Sequence, residues 1–115
     1  MKLKTIALSF FLVGLGALAL AHSKITTTVP ENAAVVGDAP ENITLTFANK
    51  IRLIKVEMTY QDHPPVAMDV GGYKSFATEF VIPNIPMGPG TYKIEWRGLG
   101  GDGHAMTGEF MFTVD

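Results

Sequence analysis

The sequence predicts an all-β fold: a small Greek-key β-sandwich of about seven strands, immunoglobulin-like, preceded by an N-terminal signal peptide. Three observations point there. Several short runs alternate apolar and polar residues, the period of a strand with one buried face. Turns rich in Pro and Gly separate those runs, and no helical period appears beyond the leader. The remaining residues, 22–115, suffice for one domain and not two, and about seven strands in that length suit two packed sheets.

The leader comes first. Lys2 and Lys4 form a basic start, Ile6 to Leu20 an apolar run, and Ala19-Leu20-Ala21 a small-x-small cleavage site. The apolar run falls short of the roughly 18–20 residues that cross a bilayer. Residues 1–21 therefore read as a cleaved signal peptide, and no membrane span is expected in residues 22–115.

Ile25, Thr27 and Val29 predict an opening strand. From Asn42 to about Ala48, Ile43, Leu45 and Phe47 alternate with Thr44 and Thr46, the clearest half-buried strand in the chain. Next, Ile54, Val56, Met58 and Tyr60 are expected on one face, with Lys55, Glu57 and Thr59 on the other. Val66, Met68 and Val70 mark a short strand, and Phe76, Phe80 and Ile82 another. Tyr92, Ile94 and Trp96 alternate with Lys93, Glu95 and Arg97, which makes Trp96 a core residue. The last strand points Phe110, Phe112 and Val114 inward. Turns fall at Pro30–Asn32, Gly37–Pro40, Pro64-Pro65, Gly71-Gly72, Pro86–Gly90 and Gly98–Gly103.

Composition excludes several functions. Loss of Lys2 and Lys4 leaves seven Lys and Arg against eleven Asp and Glu, a net charge of −4 with His neutral. An acidic product without a basic cluster is not a nucleic-acid binder. With no cysteine there are no disulfides, no thiolate metal sites and no lipid-anchored cysteine. Ser23 and Ser75 lie in no nucleophile motif, and the glycine-rich loop lacks the lysine and hydroxyl residue of a phosphate-binding loop.

Three histidines remain after the leader: His22, His63 and His104. Cleavage after Ala21 makes His22 the first residue, and a terminal histidine chelates a metal through both its α-amine and its ring Nδ1. Asp102-Gly103-His104 sits in the glycine-rich loop before the last strand, a carboxylate and an imidazole two positions apart. Each feature alone also has a plain reading, as a turn or as a coincidence of cleavage. Together they supply one amine, two imidazoles and one carboxylate, a nitrogen-rich set suited to Cu(II). Zn(II) is the main competitor, while Ca(II) and Mg(II) want mostly oxygen. The set requires the start of the first strand to lie beside the loop before the last.

The chain resembles the CopC/PcoC family of periplasmic copper-resistance proteins. The likeness spans residues 22–115: it begins with His22 and Pro30 and runs through Pro40-Glu41-Asn42-Ile43-Thr44-Leu45-Thr46-Phe47. It is strongest from Gly90-Thr91-Tyr92-Lys93-Ile94-Glu95-Trp96-Arg97 through Asp102-Gly103-His104 to Thr107-Gly108-Glu109-Phe110-Met111-Phe112-Thr113-Val114. The resemblance implies a copper-binding β-sandwich with Cu(II) on His22, Asp102 and His104. It also implies a periplasmic location and an inner-membrane copper transporter as partner.

Some members of that family carry a separate methionine-rich site for Cu(I). Here the corresponding region offers only Met58, His63 and Met68, and phasing puts both methionines in the core, so a separate Cu(I) site is not expected. His63 reads as an exposed loop residue, with an accessory ligand role as its alternative. Met106, next but one to His104, is open between covering the site and ordinary packing. The expected protein is a monomeric carrier or sequestrant of copper and not an enzyme. The alternatives are a copper-dependent oxidative enzyme with an amine-and-two-imidazole site, and a non-metal β-sandwich interaction module.

Overall fold

A computed structural model describes residues 25–115, and the expectations for residues 1–24, His22 among them, lie outside the described residues. Seven strands form: β1 (Ile25–Val29), β2 (Ala34–Val36), β3 (Asn42–Tyr60), β4 (Val66–Ala67), β5 (Ala77–Pro83), β6 (Gly90–Gly100) and β7 (Ala105–Val114). Among the described residues there is no helix, and so none that could cross a membrane. The all-β expectation holds.

β3 runs for 19 residues and belongs to both layers of the sandwich. Its first half, Asn42 to Phe47, pairs with β1 on one side and β5 on the other. Its second half, Ile51 to Tyr60, pairs with β6, and Glu57 and Met58 pair with β4. β7 continues the second layer beyond β6, and β2 closes that edge in parallel with β7. The exposed residues Ala48, Asn49 and Lys50 mark the crossing between layers.

Several features depart from the sequence reading. The runs expected to be separate strands at Asn42–Ala48 and Ile54–Tyr60 are one strand, because the chain stays extended while its partners change. The phase slips between Leu53 and Lys55, where the ladder with β6 is irregular. Leu53 and Val56 are both buried as a result, and Ile54 turns outward at 43% exposure instead of joining the core. Such an extra residue in one strand of a pair is a β-bulge, which reverses the side that each following side chain faces. Val66 is likewise exposed, whereas Met68 is buried. β2, only three residues long, is too short to show a period.

The core lies between the layers and is built from Ile43, Leu45 and Phe47 of β3, Phe80 and Ile82 of β5, and the inward residues of β6 and β7. Phe47 joins the layers, its ring meeting the edge of Trp96 at 4.9 Å and of Phe80 at 5.9 Å. Tyr92 stacks on Phe112 at 4.9 Å. Its buried hydroxyl accepts from Met87 N–H and donates to Gly88 C=O, both at 2.8 Å, so burial leaves that polar group satisfied. Burying each such side chain contributes about 1.5–3 kcal/mol.

Trp96 lies directly across the ladder from Gly108. A β-carbon at residue 108 would come within 2.7 Å of three indole atoms, so the indole occupies the space that only glycine leaves. Gly108→Ala should cost about 1–3 kcal/mol in a urea unfolding titration, as an over-packed core does. In a Trp96→Phe background the same substitution should cost less; an equal cost in both backgrounds would disprove the clash.

Candidate metal centre

The loop between β6 and β7 is held by its own backbone. Gly100 N–H donates to His104 C=O, and Gly103 N–H donates to Gly100 C=O, both at 2.9 Å. Gly103 takes φ +87°, a conformation that L side chains rarely adopt, which explains the glycine between Asp102 and His104. Asp102 Oδ1 accepts from His104 N–H at 3.0 Å, closing a turn in which the aspartate side chain replaces a backbone acceptor.

That turn brings the two predicted side chains together. Asp102 Oδ2 lies 2.9 Å from His104 Nδ1. An ionised carboxylate only accepts, so Nδ1 carries the proton and donates it. In the neutral imidazole, Nε2 is then left with its lone pair. The same logic orients metal-binding histidines elsewhere, where a carboxylate on one ring nitrogen fixes the tautomer and leaves the other to the metal. Both side chains are open to solvent, at 70% exposure for Asp102 and 85% for His104.

The contact shifts both groups. The hydrogen bond from His104 holds the Asp102 carboxyl below its ordinary value. The hydrogen bond to Asp102, and then its charge, raise the imidazole above its own. The contribution of His104 to folding is present at low pH and lost as pH rises through its raised value. That of Asp102 is present at higher pH and lost as pH falls through its lowered value. The ion pair is therefore complete only between the two, and solvent screens it there.

Among the described residues, no group of three His, Asp or Glu side chains converges as a metal site, so the pair is two-pointed by itself. His63 does not complete it. His63 follows Tyr60, which pairs with Tyr92 near the start of β6, whereas Gly100 ends that strand at the Asp102 side. Eight residues of strand separate those levels, roughly 26 Å. His63 Nδ1 instead lies 3.1 Å from Tyr60 C=O, and its ring packs at 5.4 Å from that of Tyr60. Met58 and Met68 are core residues, as expected, although Ile54 and Val66, which alternation placed on the same faces, are exposed.

The polarity of β1 bears on the missing donor. β1 runs antiparallel to β3, with Val29 opposite Thr44 and Ile25 opposite Phe47. Its N-terminal end therefore points along β3 toward Ile51, which pairs with Gly100 at the base of the Asp102–His104 loop. Gly100, which the sequence places in the glycine turn of this loop, donates its N–H to His104 C=O, and a β-carbon there would crowd Asp102 Oδ1 and Met106 Sδ.

Comparison with known proteins agrees with this architecture. The CopC domain family matches residues 25–115. Copper resistance protein C of Escherichia coli is 31% identical over 96% of this chain and 95% of its own. The protein of the same name from Pseudomonas syringae pv. tomato is 31% identical over 96% of both. Among solved structures, PcoC, a methionine-rich copper resistance protein from Escherichia coli, superposes with a TM-score of 0.57 at 32% identity, covering 83% of this chain and all of that one. CopC from Methylosinus trichosporium OB3b has the same fold, with a TM-score of 0.67 at 21% identity over 82% of this chain and 94% of that one.

Asp102→Asn should lower the titration midpoint of His104, followed by the imidazole proton signals in NMR from acid to mildly alkaline pH. A midpoint unmoved by the substitution would mean that the carboxylate does not hold Nδ1 in solution.

Proposed function

The chain belongs to the CopC family, and on that premise we propose that it is an exported periplasmic protein that sequesters or carries Cu(II). Cleavage after Ala21 frees the amine of His22, whose amine and Nδ1 chelate the ion. His104 adds Nε2. Asp102 orients His104 through Nδ1, and to supply a weaker oxygen to the same ion it would have to release that contact. Three nitrogens with a weak oxygen suit the tetragonal preference of Cu(II), the tightest binder among the divalent first-row ions.

The observation that carries this reading is the Asp102–His104 contact, which occupies Nδ1 and leaves Nε2 facing solvent. Reach supports it. Three extended residues before Ile25 span roughly 10 Å, and a histidine side chain adds to that. Between Phe47, opposite Ile25, and Ile51, opposite Gly100, lie four residue steps of β3, roughly 13 Å. β1 is therefore directed toward the loop, and three residues before it with a histidine side chain are long enough to cover that distance.

A carrier is favoured over an oxidative enzyme by the placement of the aromatic residues. Trp96, the aromatic on the strand leading into the loop, is only 3% exposed and packs on Phe47. The outer face of β6 around it carries Lys93, Glu95 and Arg97 rather than a flat ring on which a sugar chain could stack.

Copper titration of protein cleaved after Ala21, followed by electron paramagnetic resonance, tests the reading. One extra residue before His22 should weaken Cu(II) binding by more than about 100-fold, since even losing a partner behind the ligands costs 10–100-fold. His104→Ala should also weaken it, and affinity should fall as the medium is acidified, because protons compete for the amine and imidazoles. Unchanged tight binding after the added residue would overturn the terminal chelate.

A further inference from the structure

The bulge that turns Ile54 out of the core leaves a large apolar side chain on the surface, and it borders a groove. Bulges commonly re-aim a side chain beside a functional site. The groove, of about 210 Å³, is lined on one side by β3 and on the other by residues 70–74. Arg52 stands on the β3 side and Lys74 on the other, with apolar surface from Ile54, Val70 and Tyr73. Among the described residues no carboxylate lines it.

The wall formed by residues 70–74 is held in place. The Tyr73 hydroxyl accepts from Val81 N–H at 2.9 Å and donates to Val81 C=O at 3.1 Å. Its ring meets the edge of Phe80 at 5.0 Å. Tyr73 N–H donates to Val70 C=O at 3.0 Å, and Asp69 Oδ1 accepts from Gly71 N–H at 2.9 Å, so Asp69 closes its own turn. The groove is therefore preformed, which lowers the ordering cost of filling it.

Charge sets the occupant. Among the described residues the ion pairs are made by Lys55, Lys93 and His104, so Arg52 and Lys74 bring two unpaired cations to one groove. Residues 22–115 hold seven Lys and Arg against eleven Asp and Glu, which makes the groove a basic spot on an acidic protein. We infer that it docks a partner protein through a short acidic segment, with carboxylates on Arg52 and Lys74 and an apolar side chain against Ile54 and Val70. Complementary charge steers such a segment to the groove, and the acidic remainder of the protein repels it elsewhere. An anionic membrane fits less well, because lipid-surface recognition uses clusters of about 4–8 Lys and Arg. Small-molecule clefts are larger, at about 300–1,000 Å³, and more enclosing. Arg52 pairs with Leu99, the residue before Gly100, so a docked segment sits near the base of the Asp102–His104 loop. The inference does not depend on which ion that loop holds.

Titration of isotopically labelled protein, cleaved after Ala21, with the peptide acetyl-Glu-Leu-Leu-Glu-amide tests this by NMR. Amide shifts at millimolar peptide should be confined to residues 52–54 and 70–74. Replacing both peptide glutamates by glutamine, or combining Arg52→Gln with Lys74→Gln, should weaken binding about tenfold, as the loss of two exposed charge pairs allows. Both cations are exposed, so the double variant keeps the fold. Ile54→Ser should weaken binding too, and so should added salt. No shifts at millimolar peptide, equal binding of the glutamine peptide, or undiminished binding by the double variant would overturn the inference. Co-sedimentation with phosphatidylglycerol vesicles that the double variant loses would overturn it in favour of a lipid surface.

Discussion

A strand of 19 residues cannot keep one face buried along its whole length unless its surroundings change with it, and β3 meets that constraint by changing layers. Its first half is sandwiched between β1 and β5, its second half is paired with β6, and three exposed residues span the corner. A bulge after Leu53 then resets which side chains face inward, so Val56 and Met58 bury where an unbroken alternation from Leu53 would have turned them outward. Strands that switch sheets through bulges are the usual corners of packed β-layers. Here the corner also sets where the ends of the other strands fall. Ile25 and Gly100 both take their positions from β3, on either side of the turn.

The loop that carries Asp102 and His104 inherits its rigidity from this frame. β6 and β7 pair continuously from Gly90 to Leu99, and Phe110, Phe112, Tyr92 and Trp96 pin that ladder to the core. The close fit of the Trp96 indole over Gly108 keeps the two strands in register just below the loop. Few residues are then left to order. The connection closes with two backbone hydrogen bonds and one aspartate turn, and the histidine is oriented without burying anything. Organisation here comes from hydrogen bonds and a glycine backbone, while the large apolar contributions sit deeper between the layers.

Much of this was legible in the chain because burial and alternation are local signals. Ile43, Leu45 and Phe47, or Tyr92, Ile94 and Trp96, announce their faces by period alone, and all six are buried. Asp102-Gly103-His104 was legible for a different reason: a carboxylate and an imidazole flanking a glycine can meet through a turn only a few residues long. What escaped was non-local. The bulge at Ile54 depends on the partner strand, the continuity of β3 on which layer covers each half, and the crowding at Gly100 on Asp102 in the loop and Met106 on the next strand. The placement of Met68 in the core and Val66 outside it reflects the same limit, since so short a stretch carries no phase of its own.

The openness of the Asp102–His104 pair bears on the rate at which any ion held there would exchange. Among the described residues neither side chain is roofed by another element, and the pair stands at a strand tip. An incoming ligand could therefore reach such an ion before the departing one leaves, and no described strand would have to part to admit it. The barrier to exchange of an ion held there would then be chemical rather than conformational.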